Sequence, residues 1–136
     1  MKERGKAREM KSLTLAYMGD AVYEKYVREH LINRGKVKVQ ELHSLAIRYV
    51  KADAQANALK NWLAQGILTA EEEQVAKRGR NAKSGSVPKS TSVQTYRYST
   101  AFEALIGYLY LDGQTKRLEE LVSLAMTNVE KGVDKP

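Results

Sequence analysis

Two glycines, each inside an apolar stretch with helical spacing and each close to one carboxylate, constrain this chain more than any other feature. In residues 13–24 Gly19 precedes Asp20, and in residues 99–112 Glu103 stands one turn before Gly107. A glycine inside a helix costs roughly 1 kcal/mol relative to alanine, so it usually marks a place where two backbones approach closely. The pattern therefore predicts two helices that cross at their glycines and bring Asp20 and Glu103 together. Acids that face inward without a basic partner are costly, and a divalent cation between them removes that cost. Magnesium needs few protein oxygens because it keeps several of its waters, so two carboxylates on rigid helices suffice to hold it. Helical periodicity alone favours a plainer role, in which Asp20 bonds a backbone or tyrosine group and Glu103 points to solvent.

Helical spacing dominates the remaining chain. It predicts helices over about 13–33, 40–49 and 52–64, the third carrying Ala54, Ala58 and Trp62 and ending at Gly66. Thr69 before Glu71, Glu72 and Glu73 reads as an N-cap, and the helix that follows fades near Gly79. Ser84, Gly85, Ser86, Pro88, Ser90, Thr91 and Ser92 place a loop at about 82–95, after which helices resume over 96–111 and about 115–131. No alternation of strands and no repeat is visible. The expectation is one compact all-α domain over residues 11–131, with a flexible basic segment at 1–10 and a short tail at 132–136. A chain of 136 residues is long enough to bury a sizeable core.

Charge points to a polyanion. The chain has 23 Lys and Arg against 16 Asp and Glu, a formal net charge of +7. Lys77, Arg78, Arg80, Lys83, Lys89 and Arg97 lie in a stretch with no acid from Gln74 to Phe102, and Asn81 and several hydroxyls add hydrogen-bonding groups. Such mixtures contact phosphates, and the missing acids favour that reading over a solvated connector. Lys2, Arg4, Lys6, Arg8 and Lys11 are partly balanced by Glu3 and Glu9. The lack of cysteine excludes a disulfide scaffold, a thiolate zinc site and a cysteine nucleophile, and fits a cytoplasmic location. No secretory signal or membrane span is expected. His30 and His43 have no spacing to a second ligand, and Tyr17, Tyr23, Tyr26, Tyr108 and Tyr110 read as core or interface residues.

Residues 17–24, Tyr-Met-Gly-Asp-Ala-Val-Tyr-Glu, resemble the signature of the ribonuclease III catalytic domain, and residues 102–112, from Phe-Glu-Ala-Leu-Ile-Gly onward, resemble its second acidic motif. The resemblance covers about residues 11–131, and the short chain is similar in particular to the Mini-ribonuclease III group, which lacks the double-stranded-RNA-binding domain. It implies a Mg²⁺-dependent endonuclease, with Mn²⁺ as a substitute, that cuts double-stranded RNA as a homodimer and leaves 5′-phosphate and 3′-hydroxyl ends with a short 3′ overhang. Asp20 and Glu103 then match the catalytic, metal-binding acids. Larger members carry further acids where this chain has Thr14, Ala16 and Thr100, so waters, Glu24 or Glu41 are the candidates to complete the shell. The implied task is maturation of precursor large-subunit ribosomal RNA, assisted by a ribosomal protein. With no separate binding domain, residues 77–97 are the expected RNA contacts. The rival readings are a non-catalytic helical RNA-binding or ribosome-assembly module, and a helical adaptor that would leave the basic stretch unexplained.

Overall fold

The computed structural model describes residues 6–83, 85–89 and 91–133, the side chain of Val133 excepted. A 3-10 turn at Ala7–Glu9 leads into six helices: α1 (Ser12–Asn33), α2 (Val39–Val50), α3 (Ala52–Ala64), α4 (Ala70–Asn81), α5 (Val93–Leu111) and α6 (Thr115–Val133). No strand occurs among the described residues. Helix α5 is the axis of the arrangement. Ten of its residues between Ser99 and Leu109 are buried, and a helix apolar on so many sides must be enclosed by others. Helices α1, α3, α4 and α6 supply that enclosure, and α2 packs against α1.

Aromatic rings fill the centre. Phe102 stacks on Trp62 of α3 with ring centroids 5.4 Å apart and meets Tyr23 of α1 edge-on at 4.9 Å. Both geometries are favoured by the ring quadrupoles, and all three residues are fully buried. These contacts fix the α5 backbone immediately before Glu103. At the edge of the core, Glu72 completes a capping box with Thr69 at the start of α4. Its carboxylate also accepts from Arg117 Nε at 2.9 Å and Nη2 at 2.8 Å, which ties α4 to α6.

The N-cap expected at Thr69 is present, while several boundaries differ from the sequence reading, each for a local reason. Helix α5 begins at Val93 instead of 96, because the Ser92 hydroxyl accepts from the Thr95 backbone N–H and caps it. Helix α4 runs past Gly79 to Asn81, because Gly79 packs directly against Ala101 of α5 instead of ending the helix. Part of the basic N-terminal segment is docked: Ala7 is buried, Arg8 pairs with Glu71, and Arg78 Nη2 donates to the Arg8 carbonyl at 2.7 Å. Lys2 and Arg4 of that segment, Ser84 and Ser90 of the loop, and residues 134–136 of the tail lie outside the described residues.

The predicted close approach of α1 and α5 is present. A Cβ built on Gly19 would lie 1.8 Å from the Glu103 carbonyl oxygen, and one built on Gly107 would lie 1.9 Å from that of Leu15. Helices α1 and α5 therefore cross backbone on backbone. Since backbone atoms cannot swing aside as a flexible side chain can, Gly19→Ala should cost about 3 kcal/mol or more, at the top of the usual overpacking range. Denaturant unfolding of the Gly19→Ala variant measures this, and a midpoint matching the parent protein would mean that the crossing opens without penalty.

Candidate active site

The glycine crossing decides where the two acids lie. Glu103 leaves α5 at the residue whose carbonyl is pressed against Gly19, and Asp20 is the next residue of α1. Their carboxyls meet, and the Glu103 carboxyl, when protonated, donates to Asp20. Burial first, and then the charge and hydrogen bond of Asp20, push the Glu103 pKa up to about 8. The two acids differ in setting. Glu103 is half-buried, whereas Asp20 is exposed, although Ala16, Tyr23 and Val27 of its helical row are in the core. Asp20 stands at the rim of the seam instead of inside it, so the expectation that both acids face inward holds only for Glu103.

A third residue completes the floor of this site. Gln55 of α3 is 2% exposed and lies beside the Glu103 carboxyl, where a loose side-chain hydrogen bond opposes the rise in the Glu103 pKa, yet its Nε2 completes no well-formed hydrogen bond among the described residues. Sequence reasoning passed over it. The available signal was a glutamine in the same helical row as the buried Leu59 and Trp62.

Among the described residues no group of three or more His, Asp or Glu side chains is placed to hold a metal ion, so neither Glu24 nor Glu41 joins Asp20 and Glu103 in one cluster. Glu24 is drawn away by Arg28, whose Nε donates to it at 3.1 Å, and Glu41 lies exposed in the first turn of α2. The three positions at which the resemblance implies further acids add no carboxylate either. Ala16 is in the core, the Thr100 hydroxyl donates to the Tyr96 carbonyl at 3.1 Å, and Thr14 is exposed on α1. His30 is a structural link, 2.8 Å from Glu130 of α6, and His43 is exposed.

The basic stretch is divided by the fold. Lys77, Asn81, Lys83, Lys89 and Arg97 are exposed and, among the described residues, form no ion pair. Arg78 is occupied by the Arg8 carbonyl. Arg80 bonds Asn81 Oδ1 at 3.4 Å and lies over the Tyr98 ring, 6.0 Å from its centroid. Lys60 of α3, which the sequence reading did not include, reaches the same ring at 5.0 Å. A cavity of about 280 Å³ next to Lys77, Arg80 and Tyr98 is also lined by Glu73, so a stretch free of acids in sequence has one beside it in space.

A model of the ribonuclease III domain matches residues 13–114. The chain is 52% identical over 120 residues to a Mini-ribonuclease 3 of Symbiobacterium thermophilum, covering 88% of this chain and 91% of that one. It is 48% identical over 122 residues to a Mini-ribonuclease 3 of Enterococcus faecalis, covering 90% and 92%. Its fold is similar to a crystal structure of a protein from Fusobacterium nucleatum, with a TM-score of 0.78, 28% identity and coverage of 88% and 94%.

The acid pair makes stability depend on pH. Between the ordinary value of 4.5 and about 8, folded Glu103 retains a proton that the unfolded chain has released. Its contribution is therefore complete below that window and falls away as pH rises through it. In chelator, the melting temperature of the parent protein should decline more across this window than that of Glu103→Gln. Parallel pH profiles for the two proteins would show that Glu103 titrates normally.

Proposed function

The chain belongs to the ribonuclease III family and is an endoribonuclease, and from that premise we propose that it cuts double-stranded RNA with Mg²⁺ bound at Asp20 and Glu103. The observation that carries this reading is the meeting of two carboxyls at a rigid helix crossing. Two carboxyls in contact, of which Glu103 keeps its proton well above the usual carboxylate range, suit a divalent cation, which would replace that proton and take its remaining ligands from water. Bound there, Mg²⁺ would stabilise charge on the phosphoryl group and make a water nucleophilic at neutral pH. Mn²⁺ offers the same coordination chemistry.

The protein's own groups have separable tasks. Glu103 supplies a carboxylate on a backbone that cannot drift, because it is wedged against Gly19 and the preceding Phe102 is stacked on Trp62. Asp20 supplies one at the exposed rim, within reach of the backbone of a wide A-form duplex that could not enter a closed pocket. The exposed cations Lys77, Lys83, Lys89 and Arg97, with Arg80 and Asn81 beside them, are suited to hold phosphates on either side of the cut. Arg78 is the weakest member of the expected set, since its guanidinium already serves the N-terminal turn.

The reading extends to a homodimer. On α1, Leu13 and Tyr17 share the row of Asp20, and Tyr17 is 81% exposed. An exposed apolar row ending at a catalytic acid suits a two-fold contact that sets two sites along one duplex, one for each strand. No helix among the described residues is long and apolar enough to cross a membrane. Maturation of precursor large-subunit ribosomal RNA in the cytoplasm, with help from a ribosomal protein, is the cellular role that the likeness to the Mini-ribonuclease III group suggests.

Asp20→Asn and Glu103→Gln should each lower cleavage of duplex RNA by several orders of magnitude while leaving the fold and duplex binding intact. Gel assays of cleavage and binding with and without Mg²⁺ test this, and normal turnover by either variant would remove that residue from the chemistry. The alternative of a non-catalytic RNA-binding module predicts instead that the parent protein binds duplex and leaves it uncut.

Sedimentation at micromolar concentration should give about twice the 15.3 kDa chain mass, and Tyr17→Asp should give a monomer. A parent protein that sediments as a monomer yet cuts both strands at a fixed offset would defeat the dimer.

A further inference from the structure

A buried amide that completes no well-formed hydrogen bond stands beside the acid pair. Gln55 is almost wholly enclosed, packed in the same helical row as Leu59 and Trp62 where α3 meets α5. Its Nε2 completes no well-formed hydrogen bond among the described residues, although the side chain lies close enough to the Glu103 carboxyl for a loose one. A donor buried without a partner destabilises the fold, and leucine or methionine would fill the same space without that loss. The neighbouring structure does not explain the amide. The neighbouring chemistry does: carboxylates that hold metal ions are themselves held by hydrogen bonds from surrounding side chains, and such bonds often tighten only when the site is loaded.

We propose that Gln55 is a positioning residue for the metal centre, its buried amide donating to the Glu103 carboxylate and fixing that carboxylate for a divalent cation. The proposal rests on the reading of Asp20 and Glu103 as metal ligands. It assigns Gln55 no contact with RNA. It makes α3 the third element of the site, and it gives the Trp62–Phe102 stack a second purpose, since that stack keeps Gln55 and Glu103 on facing turns of α3 and α5.

The test is Mn²⁺ binding by the protein stripped with chelator, followed by calorimetry, together with melting of the metal-free form. Gln55→Met keeps the length of the side chain and Gln55→Leu keeps its bulk, and both remove the donor. Each should melt at or above the temperature of the parent protein, because an unpaired donor has gone, and each should bind Mn²⁺ about 10- to 100-fold more weakly. Asp20→Asn serves as the reference for direct loss of a ligand. Unchanged Mn²⁺ affinity in Gln55→Met and Gln55→Leu, with tight binding by the parent protein, would overturn the inference and leave the metal reading standing. Failure of both variants to fold would also overturn it, by showing that the amide serves the fold itself. Absence of Mn²⁺ binding in the parent protein would overturn the metal reading and this inference together.

Discussion

Backbone contact between α1 and α5 at Gly19 and Gly107 is the constraint on which the rest of the molecule depends. Ordinary helix packing keeps axes 8–10 Å apart because side chains stand between them. Here no side chain intervenes, and the carbonyls of Glu103 and Leu15 occupy the space a Cβ would need. This closeness has two consequences. It seals a core in which Tyr23, Phe102 and Trp62 lie ring against ring, and it brings two carboxyls together at one edge of the seam.

Holding two acids together opposes stability in the metal-free protein, and the fold offsets that elsewhere. The apolar enclosure of α5 and the link from Thr69 through Glu72 to Arg117 are of ordinary kinds, and they surround a site that is not at its own energetic minimum. Glu103 keeps a proton well above the usual carboxylate range, and Gln55 presents an unsatisfied donor next to it. Both features are liabilities to folding alone. Under the proposed reading both would become favourable, since a cation bound there would replace the Glu103 proton and leave a full carboxylate for the amide. Trp62 Nε1, in the same row of α3 as Gln55, is the other buried donor without a partner among the described residues. A perturbed acid beside an unsatisfied donor is the kind of arrangement found where a scaffold is prepared for a ligand.

The basic surface follows a different logic. Its cations are spread over exposed positions at the end of α4, the loop after it and the start of α5, with Lys60 added from α3. Flexible side chains on a surface suit a partner recognised by shape and charge, because many weak phosphate contacts tolerate sequence changes in the duplex. In the proposed reading the acids at the helix crossing would serve chemistry and the exposed cations would serve grip.

Much of this was legible in the chain. The all-helical layout follows from helical periodicity, which fixes what shares a face of a helix, the N-cap at Thr69 from the acids after it, and the meeting of Asp20 with Glu103 from the two mid-helix glycines beside them. Periodicity is silent on which faces neighbours distant in sequence will cover. Only the tertiary structure decided that Asp20 stands at the exposed rim while Glu103 is half-buried, that Glu24 turns to Arg28, and that Arg78 is claimed by the N-terminal turn. The same holds for Gln55, whose place beside Glu103 depends on α3 packing against α5 across some fifty residues of chain. Local spacing determines an element and its faces, whereas burial, and with it the electrostatics of a site, is set by contacts no local pattern encodes.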